Sequence, residues 1–343
     1  MKKILMIFCI FLLSSCIQPI NNMLPGEPFS SPSKVKLHTP SFLPDGKNIL
    51  FCMQDETQTT IYKLNIERNT KPISLKNYRQ FDYNPICSPN GDKIAFESSD
   101  GGPQADICLM DIDGSNKVSI TLSPYHDHSP IFSPDSSRIF FIRAKAFTNY
   151  SPMARPGWHN SDVYSINLDG SGLKRITSGN YYSLNDLSID PKGKKLLAYL
   201  SGKEECCTIF EIPIKDPENT KPIKPIVNPK ELKITLSNPF PRRSFGYDKL
   251  RGPKYNPTTG DILFMPNFDE IYIMKYNSKL SKKILHLDER EYSSIYDPPS
   301  FSFDGKKIVY AERKAIGFGG GLYTIWISDA DGKNKKLVYY PHF

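Results

Sequence analysis

The sequence predicts an all-β fold, a six-bladed β-propeller with four antiparallel strands in each blade. A phrase of the form Pro-x-aromatic-Ser-Pro-Asp-Gly-Lys-x-apolar-x-aromatic recurs along the chain with a period near 45 residues, as the turn prolines Pro44, Pro89 and Pro134 show. A period of this size indicates an array of one repeated supersecondary unit. A lone four-stranded sheet cannot bury both of its faces, whereas six sheets arranged around an axis can. The six copies are residues 40–51, 85–96, 130–141, 187–199, 253–264 and 299–310.

Each repeat carries two strand–turn–strand signals. The first is a turn such as Pro44-Asp45-Gly46, in which proline presets φ and glycine supplies a positive φ, followed by an alternating run such as residues 93–96. The second is an apolar run that ends in Asp-x-Asp-Gly and precedes another short strand, as in residues 107–114 and 118–121. The fourth and fifth copies depart from the phrase but keep a turn glycine, Gly193 and Gly260. Four strands per repeat follow from these two signals.

At these residues the chain resembles the TolB-type six-bladed β-propeller repeat, a relative of the WD-repeat propellers. The resemblance covers roughly residues 39–340, and we assign 39–343 to the propeller. It implies association with other proteins. TolB itself carries a separate amino-terminal α/β domain, for which residues 17–38 are too few, so we do not expect equivalence to TolB. Ring closure is open: residues 335–339 supply the last strand, or residues 34–38 pair into the last blade.

Residues 1–15 are predicted to be a lipoprotein signal peptide. Lys2 and Lys3 precede an apolar stretch, residues 4–13, that is too short to span a bilayer. The following Leu-Ser-Ser-Cys resembles a bacterial lipoprotein box, which implies cleavage before Cys16 and lipid on that residue. The alternative is an ordinary secretory peptide with an incidental cysteine.

The segment after the lipid site is predicted to be a flexible tether, residues 16–38, because it is rich in Pro, Asn and Ser. The neutral Ile17 is typical of lipoproteins sorted to the outer membrane. We therefore expect an exported, membrane-anchored protein that faces the periplasm from the outer membrane, if the host has two membranes.

Charge and cysteine content exclude several classes of protein. The formal net charge is +8, but the basic residues are scattered over turn positions, so we expect solvated faces and no nucleic-acid partner. Five cysteines remain besides Cys9 and Cys16, without zinc-site spacing, and the odd number argues against a complete disulfide framework. Cys52, Cys87 and Cys108 are predicted to be buried free thiols.

No catalytic set emerges from the motifs. The chain has no Gly-x-Ser-x-Gly elbow and no room for a hydrolase domain. A glycine-rich run at residues 317–321 precedes a strand rather than a helix, so it does not predict a phosphate cradle. We therefore predict no cofactor and favour a protein that is not an enzyme.

Two insertions indicate a binding face. In a propeller, the loops between second and third strands and those between blades emerge on one face, and the insertions at residues 143–162 and 213–250 both belong to this class. Loops on a rigid scaffold are where binding sites concentrate, and aromatic and arginine side chains are common anchors. The candidate face comprises His126, His128, Arg143, Tyr150, Arg155, Trp158, His159, Tyr181, Tyr182, Arg242, Arg243 and Tyr247.

The preferred function is a lipid-anchored, non-catalytic scaffold that binds another envelope protein. His126 and His128, at alternate strand positions, are weak candidates for a metal site. Propellers resembling this one include proteins that cleave or bind uronate-rich polysaccharides, so the alternative is a metal-dependent lyase or a sugar-binding propeller. A purely structural protein without a pocket is the third possibility.

Overall fold

The computed structural model describes residues 35–68, 70–75, 80–149, 156–201, 208–227, 250–287, 293–316 and 320–341. Over these ranges the chain is all-β, apart from one short 3-10 helix at Pro217–Asn219. No helix in the described ranges is long and apolar enough to cross a membrane. The predicted signal peptide and the lipidation site Cys16 lie outside the described residues.

Strands follow one another in groups of four, as the repeat predicts. The first three groups occupy the chain from Lys36 to Arg175. Their strands are β1 Lys36–Phe42, β2 Asn48–Gln54, β3 Thr59–Asn65, β4 Ile73–Ser74, β5 Phe81–Cys87, β6 Lys93–Ser99, β7 Asp106–Asp111, β8 Val118–Ser119, β9 His126–Phe132, β10 Arg138–Asn149, β11 Pro156–Asn167 and β12 Lys174–Arg175.

The second half of the chain forms three further groups with two additional short strands. Its strands are β13 Ser183–Ile189, β14 Lys195–Ser201, β15 Thr208–Pro213, β16 Lys221–Ile223, β17 Ile226–Val227, β18 Arg251–Tyr255, β19 Ile262–Met265, β20 Glu270–Met274, β21 Leu280–His286, β22 Ser293–Ser294, β23 Ser300–Phe301, β24 Lys307–Ile316, β25 Gly320–Asp329 and β26 Lys336–Tyr339.

The described strands form five hydrogen-bonded sheets rather than six separate ones. A single parallel bridge between Thr59 and Phe81 links β3 to β5 and merges the first two groups into one sheet of eight strands. The fifth group gains an outer strand, because β17 lies parallel to β21. In the sixth group, β22 and β23 both pair with β24. Within every group the consecutive strands are antiparallel, as predicted.

The first strand of each group lies at the inside of the arrangement, and we call β1, β5, β9, β13, β18 and β23 the inner strands. Each inner strand contacts the next along the chain, and β23 also contacts β1, so the series returns to its beginning. The all-β chain therefore has a propeller-like arrangement.

Hydrophobic clusters join each group to its neighbour. Leu50 and Ile61 of the first group pack with Phe96 of the second. The last cluster connects the two ends of the chain, because Phe51 of the first group packs with Val309 and Ile325 of the sixth. Burying one such side chain contributes roughly 1.5–3 kcal/mol, so these clusters are the main attachment between groups.

Glycines of the Asp-x-Asp-Gly turns also lie against the preceding group. Gly114, with φ +89°, faces the backbone of Leu75, which follows β4; a Cβ on Gly114 would lie 3.2 Å from that residue's Cα. Gly332, with φ +85°, abuts the carbonyl oxygen of Ile284 in β21. The repeated turn therefore serves packing between groups as well as chain reversal.

The predicted boundary between tether and propeller at residue 38 is wrong by a few residues. Lys36 begins β1 and pairs with Gln54 in β2, because Leu37 is buried in the cluster that connects the ends of the chain. Residues 36–38 therefore do not pair into the last group, whose outer strand is β26. The end groups meet by packing and by Asp297, whose Oδ2 accepts hydrogen bonds from the backbone N–H of Thr39 (3.2 Å) and lies 3.1 Å from Nδ1 of His38.

Three cysteines are described, and Cys52, Cys87 and Cys108 are all buried free thiols, as predicted. Burial raises the pKa of Cys108 to about 11 and that of Cys87 to about 12, which keeps both thiols protonated and unreactive near neutral pH.

Candidate functional site

A β-bulge recurs at one position of the inner strands. The pairing register shifts there in β1, β5, β9, β13 and β18. A bulge of this kind needs one residue with positive φ, which Asn, Asp and Gly adopt most readily. The residues with positive φ at the shift are Thr39, Asn84, Ser129, Asp186 and Gly252.

The bulges create a belt of hydrogen bonds between groups. In four places the backbone N–H of a bulge residue donates to a side-chain oxygen of the preceding group, so the belt ties the inner strands together with polar contacts. The pairs are Thr39 N with Asp297 Oδ2 at 3.2 Å, Ser129 N with Glu97 Oε1 at 2.6 Å, Asp186 N with Ser129 Oγ at 3.3 Å, and Gly252 N with Asp186 Oδ2 at 3.1 Å.

We call the end at which the inner strands begin the upper face. The second strand of each group runs antiparallel to the inner strand, so the hairpin between second and third strands turns at this end. Two such hairpins, β10–β11 and β24–β25, are much longer than the others. The described parts of the predicted insertion at residues 143–162, which are 143–149 and 156–162, continue β10 and β11, with Phe147 opposite Trp158.

Three predicted face residues form one aromatic cluster at the base of the third-group hairpin. The ring of His126 stacks on Trp158 with centroids 5.6 Å apart, and the rings of His126 and His128 lie 5.1 Å apart. The ring of Phe147 lies on the side of Trp158 that is nearer the tip of the hairpin, and the two ring centroids are 5.1 Å apart. Nε1 of Trp158 donates to the carbonyl oxygen of Pro103, which ties the hairpin to the second group.

His159, Tyr181 and Tyr182 form a second contact on the other side of this hairpin. The rings of His159 and Tyr182 lie 4.1 Å apart, and Nε2 of His159 is 3.4 Å from the Tyr182 hydroxyl. The backbone of Tyr181 exchanges two hydrogen bonds with Ser161. The structure thus brings these three predicted residues together.

Arg143 does not belong to an exposed face, which corrects the prediction. Its guanidinium donates to both carboxylate oxygens of Asp127, at 2.6 and 2.7 Å, and only 7% of the residue is exposed. Asp127 is fully buried, so the ion pair is part of the interior of the third group.

Five predicted face residues fall outside the described residues: Tyr150, Arg155, Arg242, Arg243 and Tyr247. In the second predicted insertion, 213–250, the described residues 213–227 contain β16, the fourth strand of the fourth group, and β17, which extends the fifth group.

A cavity of about 270 Å³ opens beside His126 and is also lined by Phe81, Tyr83 and Glu97. Glu97 accepts hydrogen bonds from Asn84 Nδ2 and from the backbone N–H of Ser129. Burial nevertheless raises the pKa of Glu97, because water is largely excluded from its carboxylate. The cavity therefore combines aromatic walls with a poorly solvated acid.

The two histidines proposed as metal ligands are both poor bases. Burial lowers the pKa of His128 to about 3 and lowers that of His126 as well, so both rings are neutral near pH 7. A neutral imidazole suits a metal, and two ligands could come from this pair. Across the described ranges, however, no three His, Cys, Asp or Glu side chains are grouped so that they could hold a metal ion.

Sequence reasoning missed a second polar and aromatic cluster on the upper face, at the start of β18. The guanidinium carbon of Arg251 lies 3.9 Å from the ring centroid of Phe268, and Phe268 contacts Tyr296 at 5.1 Å. Arg251 is the residue directly after the predicted insertion at residues 213–250, whose own arginines and tyrosine were chosen as the candidate anchors. A second sequence signal is position, since Arg251 takes the place that His38, Tyr83 and His128 take in earlier repeats.

Comparisons with known proteins agree with this architecture. The profile of the family described as TolB beta propeller domain matches residues 31–221, more than half of the chain. The Tol-Pal system protein TolB of Francisella tularensis subsp. tularensis (strain WY96-3418) is 27% identical over 123 residues, 34% of this chain and 28% of that protein. The chain thus matches less than a third of the length of these curated relatives.

Two solved structures share the fold. TolB from Acinetobacter baumannii superposes with a TM-score of 0.62 at 17% identity, covering 87% of this chain and 64% of that one. An oligogalacturonate lyase in complex with manganese superposes with a TM-score of 0.53 at 12% identity, covering 89% and 78%. The repeated phrase, the propeller-like closure and the profile match lead to one conclusion: the chain belongs to the TolB β-propeller domain family.

Proposed function

We propose that this chain is an exported, lipid-anchored scaffold of the cell envelope that binds another envelope protein with its upper face, without catalysing a reaction. We further propose that the six strand groups are six blades of one closed ring. The contacts between successive inner strands and the cluster shared by the first and sixth groups support the ring.

The observation that carries the binding proposal is the apolar surface exposed on the upper face. Phe147 of the third-group hairpin is 44% exposed and Tyr296 of the sixth group is 50% exposed, while Ile316 reaches the tip side of β24. Exposed aromatic side chains on loops and hairpins of a rigid scaffold are common anchors of protein interfaces. In a six-bladed ring the third and sixth blades are opposite, so their long hairpins flank the axis.

Family membership supports a protein partner. The curated relatives are named as proteins of the Tol-Pal system, which places them with other proteins in an assembly. The match spans only a minor part of those relatives. The proposal that this chain binds a protein partner therefore rests mainly on the features of its upper face.

Substituting Phe147 by Ser should weaken partner capture at least fivefold, because an exposed aromatic anchor is lost while its strand pairing remains. The measurement is cross-linking and quantitative mass spectrometry after co-purification of the tagged protein from its own envelope. Ile73→Ser is the matched control, since Ile73 is more exposed but lies on the outer strand β4. Equal loss with both variants, or no loss with Phe147→Ser, would contradict a partner site on the upper face.

The lipid anchor is tested at Cys16. Replacing Cys16 by Ser should move the protein from the membrane fraction to the soluble envelope fraction, because several acyl chains on one residue are needed for stable attachment. Mass spectrometry of the amino-terminal peptide should show the acylated cysteine in the parent protein. An unmodified, membrane-bound Cys16→Ser variant would point to attachment by another route.

The second candidate function is a metal-dependent polysaccharide lyase or a sugar-binding propeller. The close pair His126–His128 favours it, together with the buried, unpartnered Nδ1 of His126. Bound metal in supplemented preparations, lost from His126→Ala, would support this candidate over the scaffold. Glycan binding without metal would support the sugar-binding form, and a purely structural role would leave both partner and glycan undetected.

A further inference from the structure

Arg251 is an unpaired cation on the upper face. Within the described part of the chain its guanidinium makes no ion pair and no hydrogen bond, and its Nε is buried without a partner. Two other arginines of the blades, Arg143 and Arg175, each donate to a buried aspartate. A half-buried guanidinium that has lost hydration without gaining an acceptor is costly, so its retention indicates a ligand.

The surroundings of Arg251 define what that ligand must be. One face of the guanidinium lies on the Phe268 ring at 3.9 Å and its Nε is buried, so the edge formed by the two terminal nitrogens remains for a planar acceptor. A guanidinium edge matches a carboxylate with two parallel hydrogen bonds. Tyr296 contacts Phe268 and is 50% exposed, which places an apolar surface beside the cation. The expected group is a carboxylate next to an apolar or aromatic moiety.

We propose that Arg251, Phe268 and Tyr296 form a carboxylate-recognition site for a peptide segment of the protein partner. The choice of a peptide rests on the proposed function. It is also favoured by charge, because the buried carboxylate of Asp186 already interacts electrostatically with Arg251 and accepts a hydrogen bond from the neighbouring Gly252. A polymer with a carboxylate on every sugar would be repelled there, whereas a peptide can present one acid among neutral residues.

The test uses the full chain in detergent with arginine side chains isotope-labelled, titrated with short synthetic peptides and followed by NMR. The probes are acetyl-Phe-Asp-amide, its uncharged counterpart acetyl-Phe-Asn-amide, acetyl-Asn-Phe with a free carboxyl terminus, and trigalacturonate. We expect the two acidic peptides to shift the Arg251 signal and to bind about tenfold tighter than the uncharged peptide. If acetyl-Phe-Asp-amide binds more tightly, the site prefers a side-chain carboxylate. If acetyl-Asn-Phe binds more tightly, it prefers the carboxylate at a chain end.

Variants make the assignment specific. Arg251→Gln should abolish the preference for acid over amide, and Arg251→Lys should keep part of it, because charge remains but the paired geometry is lost. Thermal unfolding of both variants should remain a single cooperative transition, which shows that the fold persists although part of the contact with Phe268 is lost. Equal affinity for acidic and uncharged peptides, or a preference that survives Arg251→Gln, overturns the site.

Tighter binding of trigalacturonate than of either acidic peptide also overturns the peptide proposal and favours the sugar-binding alternative. A negative peptide titration would not by itself overturn the scaffold proposal. That proposal is tested separately by co-purification with the Phe147→Ser variant, which leaves Arg251 unchanged.

Discussion

Replacing Arg143 by Met should lower the free energy of unfolding by about 3–5 kcal/mol, because it leaves the fully buried Asp127 without its partner. The remaining contact of that carboxylate is the hydroxyl of Ser123 at 3.3 Å. Urea unfolding of the parent and the variant at pH 7 measures the change.

Two controls separate the lost ion pair from the lost side chain. The double variant Asp127→Asn with Arg143→Met should recover much of the loss, since no buried charge remains. Lys47→Met, in an exposed pair with Glu67, should cost less than about 1 kcal/mol. If Arg143→Met is as mild as Lys47→Met, the pair at Asp127 is not the buried contact described.

Gly332→Ala should destabilise the fold by about 2–5 kcal/mol, which combines the cost of a left-handed residue with that of overpacking. Gly332 has φ +85°, and an added Cβ would overlap the carbonyl oxygen of Ile284 in the preceding group. Because that atom belongs to strand β21, the neighbour cannot turn away as a flexible side chain would. The midpoint of urea or thermal unfolding reports the change.

Gly46→Ala is the matched control for this turn effect. Gly46 also has a positive φ, +64°, but an added Cβ would meet nothing within 4 Å. Its cost should therefore be only the conformational one, about 1–2 kcal/mol. Equal effects at Gly46 and Gly332 would show that contact between groups plays no part at the Asp-x-Asp-Gly turn.

The strand order within each group was predictable because it depends on local chemistry. Turn residues such as Pro44-Asp45-Gly46 reverse the chain wherever they occur, and alternating apolar residues form strands with one buried face. The start of β1 was missed because Leu37 is buried by Val309 and Ile325, which are distant in sequence. Contacts between residues so far apart in the chain leave no periodic pattern in the sequence.

The candidate site was predicted less well, for a related reason. His126, His128 and Trp158 were found because they stand in or near an unusual insertion, and the structure brings their rings together. Arg143 was misjudged, since its residue type suggests a surface anchor whereas Asp127 on the neighbouring strand holds it inside. Arg251 was missed because it lies just past the end of the predicted insertion 213–250, and arginines inside that insertion were chosen instead.

The sequence by itself determined the repeat, the four-stranded groups and the family, because these follow from turn chemistry and from periodicity within about 45 residues. Only the tertiary structure decided which polar side chains are paired and which are left unpaired at the upper face. Arg143 finds Asp127 on the neighbouring inner strand, whereas Arg251 finds Phe268 and no acceptor. Whether a charge is satisfied depends on which strands lie side by side, and that is a property of the assembled ring.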